Sequence, residues 1–385
     1  MLAGQRIISH LDLDTFFVSV ECLKNSRLKG KPLLVGGKSD RAVVAACSYE
    51  ARKFGVHSAM AMKLARRLCP HAIILHGDFE EYSKYSSMVT SIIKEEVPSF
   101  EKASIDEFYI DMTGMDKHFG CSKFTHELKN KITKETGLPL SYGLSANKLV
   151  SKVATNEAKP NGQLQIPFGN ERAFLAPLPV RKMPMIGEKT ALTLKSLGIR
   201  LIRTIAEMPV NMLESVFGKN GIELWRKANG IDETPVRPYR EQKSISTEET
   251  FENDTIDIDM LTATLVRMTQ KIAFELRSQN RMCSTVSVKM RYANFDTVSK
   301  QASLDFTCSD HVLIPKVKEL FAKLYDRRLL VRLIGVRLTN LVPGNYQVNL
   351  FEDTDEYIRL YKTLDNINKK YGGVQIMRAS GLKLK

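Results

Sequence analysis

The sequence predicts an α/β chain of more than one domain. Three observations carry this. Its 385 residues exceed what one compact core usually needs. Strand and helix patterns alternate over residues 1–168 and again over 244–343. Residues 169–231, between them, read as mainly helical and short-looped.

The first apolar stretch, Arg6-Ile-Ile-Ser-His-Leu-Asp-Leu-Asp14, reads as a strand. Its alternation sets His10, Asp12 and Asp14 on one face and Leu11 and Leu13 on the other. Thr15 to Leu23 carries apolar residues at helical spacing. Pro32 to Val35 and Arg41 to Ala46 read as short strands around a Gly-Gly turn. Phe79 to Val97 is an amphipathic helix whose apolar side holds Tyr82, Tyr85, Val89, Ile92 and Ile93. Ala103 to Met112 and Leu140 to Leu144 read as strands, and Ser145 as the N-cap of a helix to about Glu157. Asp232 to Lys243 has two prolines, several charges and no apolar period, so it reads as an exposed linker. Beyond it come helices (Met260 to Arg277, Ile314 to Tyr325) and strands (Thr285 to Tyr292, Lys300 to Phe306, Leu333 to Leu338). One more helical pattern, Tyr357 to Tyr371, lies in the tail.

Composition narrows the partner. The formal net charge is +14, which suggests a polyanion. Residues 1–78 carry 12 basic against 6 acidic residues, residues 79–168 carry 11 against 12, and residues 169–242 carry 12 against 8. A near-neutral segment with an acidic cluster, flanked by basic ones, suits a metal-binding centre within a nucleic-acid clamp. Six scattered cysteines without a CxxC pair argue against zinc and against a disulfide framework, and fit a reducing cytosol. No apolar run approaches the roughly 20 residues of a membrane span.

The chemistry is expected at Asp12, Asp106 and Glu107. Asp106 and Glu107 are adjacent in Ser104-Ile-Asp-Glu-Phe-Tyr-Ile-Asp111, and neighbours on a regular strand point to opposite faces. For both to serve one site they must lie at a turn or bulge, such as a tight hairpin. Three carboxylates from separate strands suit hard divalent cations. Two magnesium ions could then clamp the attacking and leaving oxygens of nucleotidyl transfer. Asp14 and Asp111 read as hydrogen-bonded structural groups.

Asp12-Leu-Asp-Thr-Phe-Phe17, Tyr49-Glu-Ala-Arg-Lys-Phe-Gly55, Ser104-Ile-Asp-Glu107 and Ala158-Lys-Pro-Asn-Gly162 resemble four successive signatures of the Y-family DNA polymerases. Order and spacing agree, and the resemblance covers essentially residues 6–343. It implies a right-handed polymerase. The palm, with an antiparallel-rich sheet, would span 1–18 and 79–168, and small fingers 19–78. A helical thumb would span 169–231, a linker 232–243 and an α/β little finger 244–343, leaving a tail at 344–385. It also implies an error-prone, lesion-tolerant enzyme acting as a monomer. Asp12, Asp106 and Glu107 would be catalytic metal ligands, with the Leu13 carbonyl auxiliary. The metal would be magnesium, with manganese able to substitute.

By the same resemblance, Phe17 is the steric gate under the sugar, and Phe16 a neighbour with a partial role. Tyr49 and Arg52, one helical turn apart, suit triphosphate oxygens, and Lys159 matches the family's triphosphate lysine. Where several members carry threonine or serine, this chain has Ala45-Ala46-Cys47-Ser48. A phosphate contact is therefore missing or moved to Ser48, and the templating base has little bulk above it. Lys148 and Lys152 are expected to track DNA, although a solvated face is equally open to them.

Pro184-Met-Ile-Gly187 followed by a helix resembles a helix-hairpin-helix, with Gly187 and Lys189 at the phosphate. It is a partial match, since Met185 stands where a glycine is usual. Phe217-Gly-Lys-Asn-Gly221 resembles a weaker copy. Arg328, Arg332 and Arg337 border the last strand and suit backbone phosphates. Gln347-Val-Asn-Leu-Phe351 looks like the bacterial sliding-clamp pentapeptide, with Gln347, Leu350 and Phe351 as contacts to the beta clamp. A non-catalytic DNA-binding scaffold of the same fold is the alternative, and the intact set of Asp12, Asp106, Glu107, Tyr49 and Arg52 disfavours it. A nucleotide cyclase would leave the second domain unexplained.

Overall fold

Helical and extended segments follow the hydrophobic periods closely. The computed structural model describes residues 6–115, 120–238, 241–344, 354–371, 376 and 378–381. It divides into two units, Met1–Arg240 and Glu241–Lys385.

The first unit opens with strand β1 (Ile8–Leu13) and helix α1 (Phe16–Lys24). Strands β2 (Leu33–Gly36) and β3 (Val44–Cys47), helices α2 (Tyr49–Arg52) and α3 (Met62–Leu68) and strand β4 (Ile73–Leu75) follow. Then come α4 (Phe79–Glu96), β5 (Phe100–Lys102), β6 (Glu107–Asp111), α5 (Cys121–Thr136), β7 (Leu140–Ser145), α6 (Lys148–Ala158) and β8 (Gln163–Gln165). Five helices complete the unit: α7 (Glu171–Leu175), α8 (Glu188–Ser196), α9 (Ile202–Glu207), α10 (Val210–Phe217) and α11 (Lys219–Ala228).

The central sheet runs β5-β6-β1-β7-β8 and is antiparallel except at β7–β8. β1 lies in the middle, so all six of its residues are buried, Asp12 among them. Helices α1, α4 and α5 seal one core with β1, β6 and β7, through residues such as Leu11, Leu13, Phe16, Val89, Ile93, Phe108 and Ile132. Each such aliphatic or aromatic side chain contributes about 1.5–3 kcal/mol on burial. A smaller sheet, β3-β2-β4, packs with Ala51 of α2 and Met62 and Ala65 of α3 in a core of its own. The third core joins Leu149, Val150, Val153 and Ala154 of α6 to the five-helix segment.

The second unit contains β9 (Ser244–Thr255), α12 (Ile258–Ser278), β10 (Arg281–Tyr292), β11 (Thr297–Thr307), α13 (Asp310–Leu324), β12 (Val331–Pro343) and α14 (Thr354–Tyr371). Its antiparallel sheet runs β11-β10-β12-β9, and α12 and α13 cover one face.

Some expectations need correction. The Ala103 to Met112 strand is really a hairpin, β5 and β6 flanking a turn at residues 103–106. The cap of α6 is Asn147, whose side chain accepts from the Val150 amide; Ser145 stays in the ladder opposite Ile8. Strand β9 went unforeseen, because an edge strand with one buried face needs few apolar residues: only Ile245 and Phe251 are buried. The 232–238 segment has no regular structure, yet its ends are fastened. The Asp232 carboxylate accepts from the Leu149 amide at 3.0 Å, and the Arg237 amide donates to Glu101 at 2.9 Å.

Candidate active site

The carboxylates are delivered by the middle of the five-stranded sheet. Asp12, next to last in β1, stands opposite Glu107, first in β6. The Leu13 amide donates to the Asp106 carbonyl at 3.0 Å, which fixes the hairpin turn against the strand end. Ser104 builds that turn. Its hydroxyl accepts from the Asp106 and Glu107 amides at 3.3 and 3.0 Å and donates to Asp106 Oδ1 at 2.5 Å. Both adjacent carboxylates therefore lie at one end of the sheet, because one is in the turn and the other in the strand.

Two lysines balance this charge. Lys159 Nζ lies 2.5 Å from Asp12 Oδ1, and Lys152 Nζ lies 2.8 and 2.7 Å from the two Glu107 oxygens. The Asp12 carboxyl is pushed up to about 7 in all: burial raises it most, Lys159 pulls it down, and Asp106 and Glu107 add to the rise. Among the described residues, no three acidic, histidine or cysteine side chains converge on one point. With the lysines in place, Asp12 and Glu107 face ammonium groups rather than each other. Without those lysines, a desolvated carboxylate near two more would be short of positive charge. The donors are all hard oxygens, without imidazole or thiolate, so the set fits a hard divalent cation. His10, behind Asp12, is buried; burial lowers its pKa well below the usual value, and its Nδ1 lies 2.9 Å from Thr155 Oγ1.

The expected triphosphate groups fall on two segments. Tyr49 and Arg52 share the single turn of α2, with the guanidinium 5.0 Å above the phenol ring. Tyr49 Oη donates to Asp14 Oδ1 at 3.2 Å, and burial raises its pKa further from neutrality. Lys159 caps the C-terminus of α6. Phe17 is half-buried and stacks on Tyr82 at 4.2 Å, while Phe16 is buried with its edge to Tyr82. The Phe16 ring is thus spent on the core.

Ser48 cannot supply the missing phosphate contact. It is buried, its one hydroxyl hydrogen goes to the Lys31 carbonyl, and its oxygen accepts from the Leu33 and Ala51 amides. Lys148 also departs from expectation. It is buried 2.7 Å from Glu101 and 4.5 Å from the Tyr109 ring centre, on neither a solvated nor a DNA-facing surface. Lys152 turns to Glu107 instead of outward.

In the helical segment, Gly187 is the N-cap of α8 and Lys189 is exposed. Met185 adopts φ +73° and is 84% exposed, so the turn takes the left-handed conformation that glycine favours, on a methionine. Gly218 likewise has positive φ (+61°) at the N-cap of α11.

In the second unit, Arg332 pairs with Asp254 at 3.3 Å and lies over the Phe295 ring, while Arg337 and Arg328 are exposed. The sheet face turned away from α12 and α13 carries Ser287, Lys289 and Arg291 of β10 alongside Arg337. Lys289 and Arg291 were missed in the sequence. The alternation Val286-Ser-Val-Lys-Met-Arg-Tyr292 was the available signal. Gln347, Leu350 and Phe351 lie outside the described residues.

Comparison with known proteins fits this geometry. Residues 11–156 match the impB/mucB/samB family, residues 242–350 its C-terminal domain, and residues 169–199 the helix-hairpin-helix (HHH) motif of the same family. A relative named DNA polymerase IV from Dehalococcoides mccartyi is 39% identical over 99% of this chain and 98% of its own length. One of the same name from Treponema denticola is 35% identical over 96% and 95%. A solved Y-family DNA polymerase chimera superposes with a TM-score of 0.79 at 28% identity, over 88% of this chain and all of its own. Fold and helix-hairpin-helix together are those of a Y-family DNA polymerase. The chain belongs to the impB/mucB/samB family of Y-family DNA polymerases, among relatives named DNA polymerase IV.

Proposed function

We propose that this site copies a DNA template by nucleotidyl transfer at Asp12, Asp106 and Glu107. The chain is a template-directed DNA polymerase of the translesion class, and its substrates are DNA and deoxyribonucleoside triphosphates. The observation that carries the residue assignment is the pairing of Asp12 with Glu107 across β1 and β6, with the Asp106 turn pinned to Leu13.

Asp12, Asp106, Glu107 and the Leu13 carbonyl would hold the divalent metal, for which magnesium is the best-fitting ion. When bound, the metal lowers the pKa of the primer 3′-hydroxyl and neutralises the departing pyrophosphate. Everything else falls to side chains of the chain. Tyr49, Arg52 and Lys159 grip the triphosphate: Lys159 is free to do so once Asp12 no longer needs its charge, and the Tyr49 hydroxyl, held in place by Asp14 beforehand, turns its one hydrogen to a phosphate oxygen when the triphosphate arrives. Phe17, braced flat on Tyr82, closes the space a 2′-hydroxyl would need. Ala45 and Ala46 place little bulk over the base pair, so pair shape is checked weakly and copying is error-prone.

Gly187 and Lys189 hold the duplex through its phosphates, without reading sequence. Lys289, Arg291, Arg332 and Arg337 do the same from the second unit. Gln347, Leu350 and Phe351 recruit the sliding clamp, and the enzyme works as a monomer in the cytoplasm and nucleoid. Among the described residues, no helix is long and apolar enough to cross a membrane.

The test is primer extension with magnesium by the wild type and Asp106→Asn. Asn keeps an acceptor for Ser104, so the turn survives. Extension should fall at least about a hundredfold, the scale of losing one group that stabilises transition-state charge, with DNA binding unchanged. Near-normal extension would remove Asp106 from the metal set.

A further inference from the structure

Asp14 has no role in the chemistry proposed above, yet it is among the most heavily bonded side chains near the site. It follows β1 directly and is only 2% exposed. Its Oδ1 accepts from Tyr49 Oη at 3.2 Å and from Ser141 Oγ at 3.1 Å. Its Oδ2 accepts from Ser141 Oγ at 2.9 Å and from the Asn161 amide at 2.6 Å. Each oxygen thus has two donors against it, although Ser141 shares its single hydrogen between them. An ionised carboxylate offers about four lone-pair sites, and three donor hydrogens already engage both of its oxygens.

The donors come from three places. Tyr49 belongs to α2, Ser141 to β7, and Asn161 to the loop two residues beyond Lys159. Ser141 Oγ also accepts from the Gly162 amide at 3.2 Å, which fastens the same loop a second time. From the other side, Lys129 donates to the Asn161 carbonyl at 2.7 Å. The Asp14 backbone is fixed as well: its amide donates to the Pro139 carbonyl and its carbonyl accepts from Ser19.

We infer that Asp14 is a positioning residue for the triphosphate: one buried carboxylate sets the spacing between Tyr49 and the Lys159 loop. This rests on the reading of Tyr49 and Lys159 as triphosphate groups. Two grips on separate segments bind one polyanion well only if their separation is fixed before it arrives. A carboxylate suits the task because it accepts at both ends. An asparagine there keeps its oxygen toward Tyr49 and Ser141 but presents an N–H₂ to the Asn161 amide, donor against donor. The Lys159 loop is released while the Tyr49 arm stays held.

The experiment compares wild type, Asp14→Asn, Lys159→Ala and the double variant in single-nucleotide insertion on a primer-template. DNA affinity and thermal stability are measured alongside. Asp14→Asn should raise KM for the incoming nucleotide about tenfold, the worth of one charge-assisted hydrogen bond, with kcat and DNA affinity changed less than about threefold. The double variant should be no more than about twofold worse in KM than Lys159→Ala alone, because the two act through the same contact. Multiplicative effects would overturn the inference, and so would a collapse of kcat with normal KM that is relieved by raising the metal concentration. If Lys159→Ala leaves KM unchanged, the triphosphate reading of Lys159 fails and the inference falls with it. Should Asp14→Asn fail to fold, Ser141→Ala removes the hydroxyl shared by Asp14 and Gly162. It should raise KM in the same direction by about threefold, and an unchanged KM would count against the inference.

Discussion

Replacing Lys148 with Met should strongly destabilise the first unit. Lys148 Nζ and Glu101 Oε2 are 2.7 Å apart, and their side chains are only 8% and 3% exposed, so water screens the pair little. Met fills nearly the same volume but removes the ammonium beside a buried carboxylate, which the Arg237 amide also contacts. Removing one member of a buried pair typically costs about 3–5 kcal/mol, because the other charge is stranded. At about 2–4 °C per kcal/mol for a unit of this size, the transition should fall by roughly 6–20 °C. Adding Glu101→Leu removes the other member of the pair and should restore most of that loss, to within about 1–2 kcal/mol. The double variant still lacks the acceptor for Arg237. Its 232–238 segment should therefore exchange amide hydrogens faster than in the wild type even though the fold has recovered. Thermal melts followed by circular dichroism, with hydrogen exchange read on peptides from this segment, check both parts. A Lys148→Met protein within about 1 kcal/mol of wild type would mean that the ammonium is solvated, and the reasoning would fail.

Other outcomes follow from single residues. Phe17→Ala removes the ring stacked on Tyr82 and should raise ribonucleotide incorporation relative to deoxyribonucleotide by about tenfold or more. Unchanged sugar selectivity, measured by competing the two nucleotides, would place the gate elsewhere. Met185→Gly relieves a left-handed backbone at an exposed position and should stabilise the first unit by about 0.5–1 kcal/mol, with DNA affinity kept; a lower melting temperature would show that the methionine side chain contributes packing. Replacing Gln347, Leu350 and Phe351 together with Ala should abolish stimulation by the sliding clamp and leave distributive synthesis as it was; stimulation that persists would make the pentapeptide a chance match.

The amino-acid order alone determined the class of chemistry and most of the elements. Asp12 stands out because a charge interrupts an apolar strand, and the hairpin at Asp106 follows from the need to bring two neighbouring carboxylates to one side. Such features are legible because they depend on neighbours two to four residues away, where strand and helix periods act. What the tertiary structure decided depends on long-range pairing. Lys148 and Glu101 lie 47 residues apart in sequence, and nothing local marks that lysine as buried. Ser48 looked free until the Lys31 carbonyl and the Leu33 amide closed around it. Asp14 read only as a hydrogen-bonded group. Its partners are Tyr49, Ser141 and Asn161, at separations of 35, 127 and 147 residues. A carboxylate's role is set by the donors the fold brings to it, and no pattern along the chain counts those.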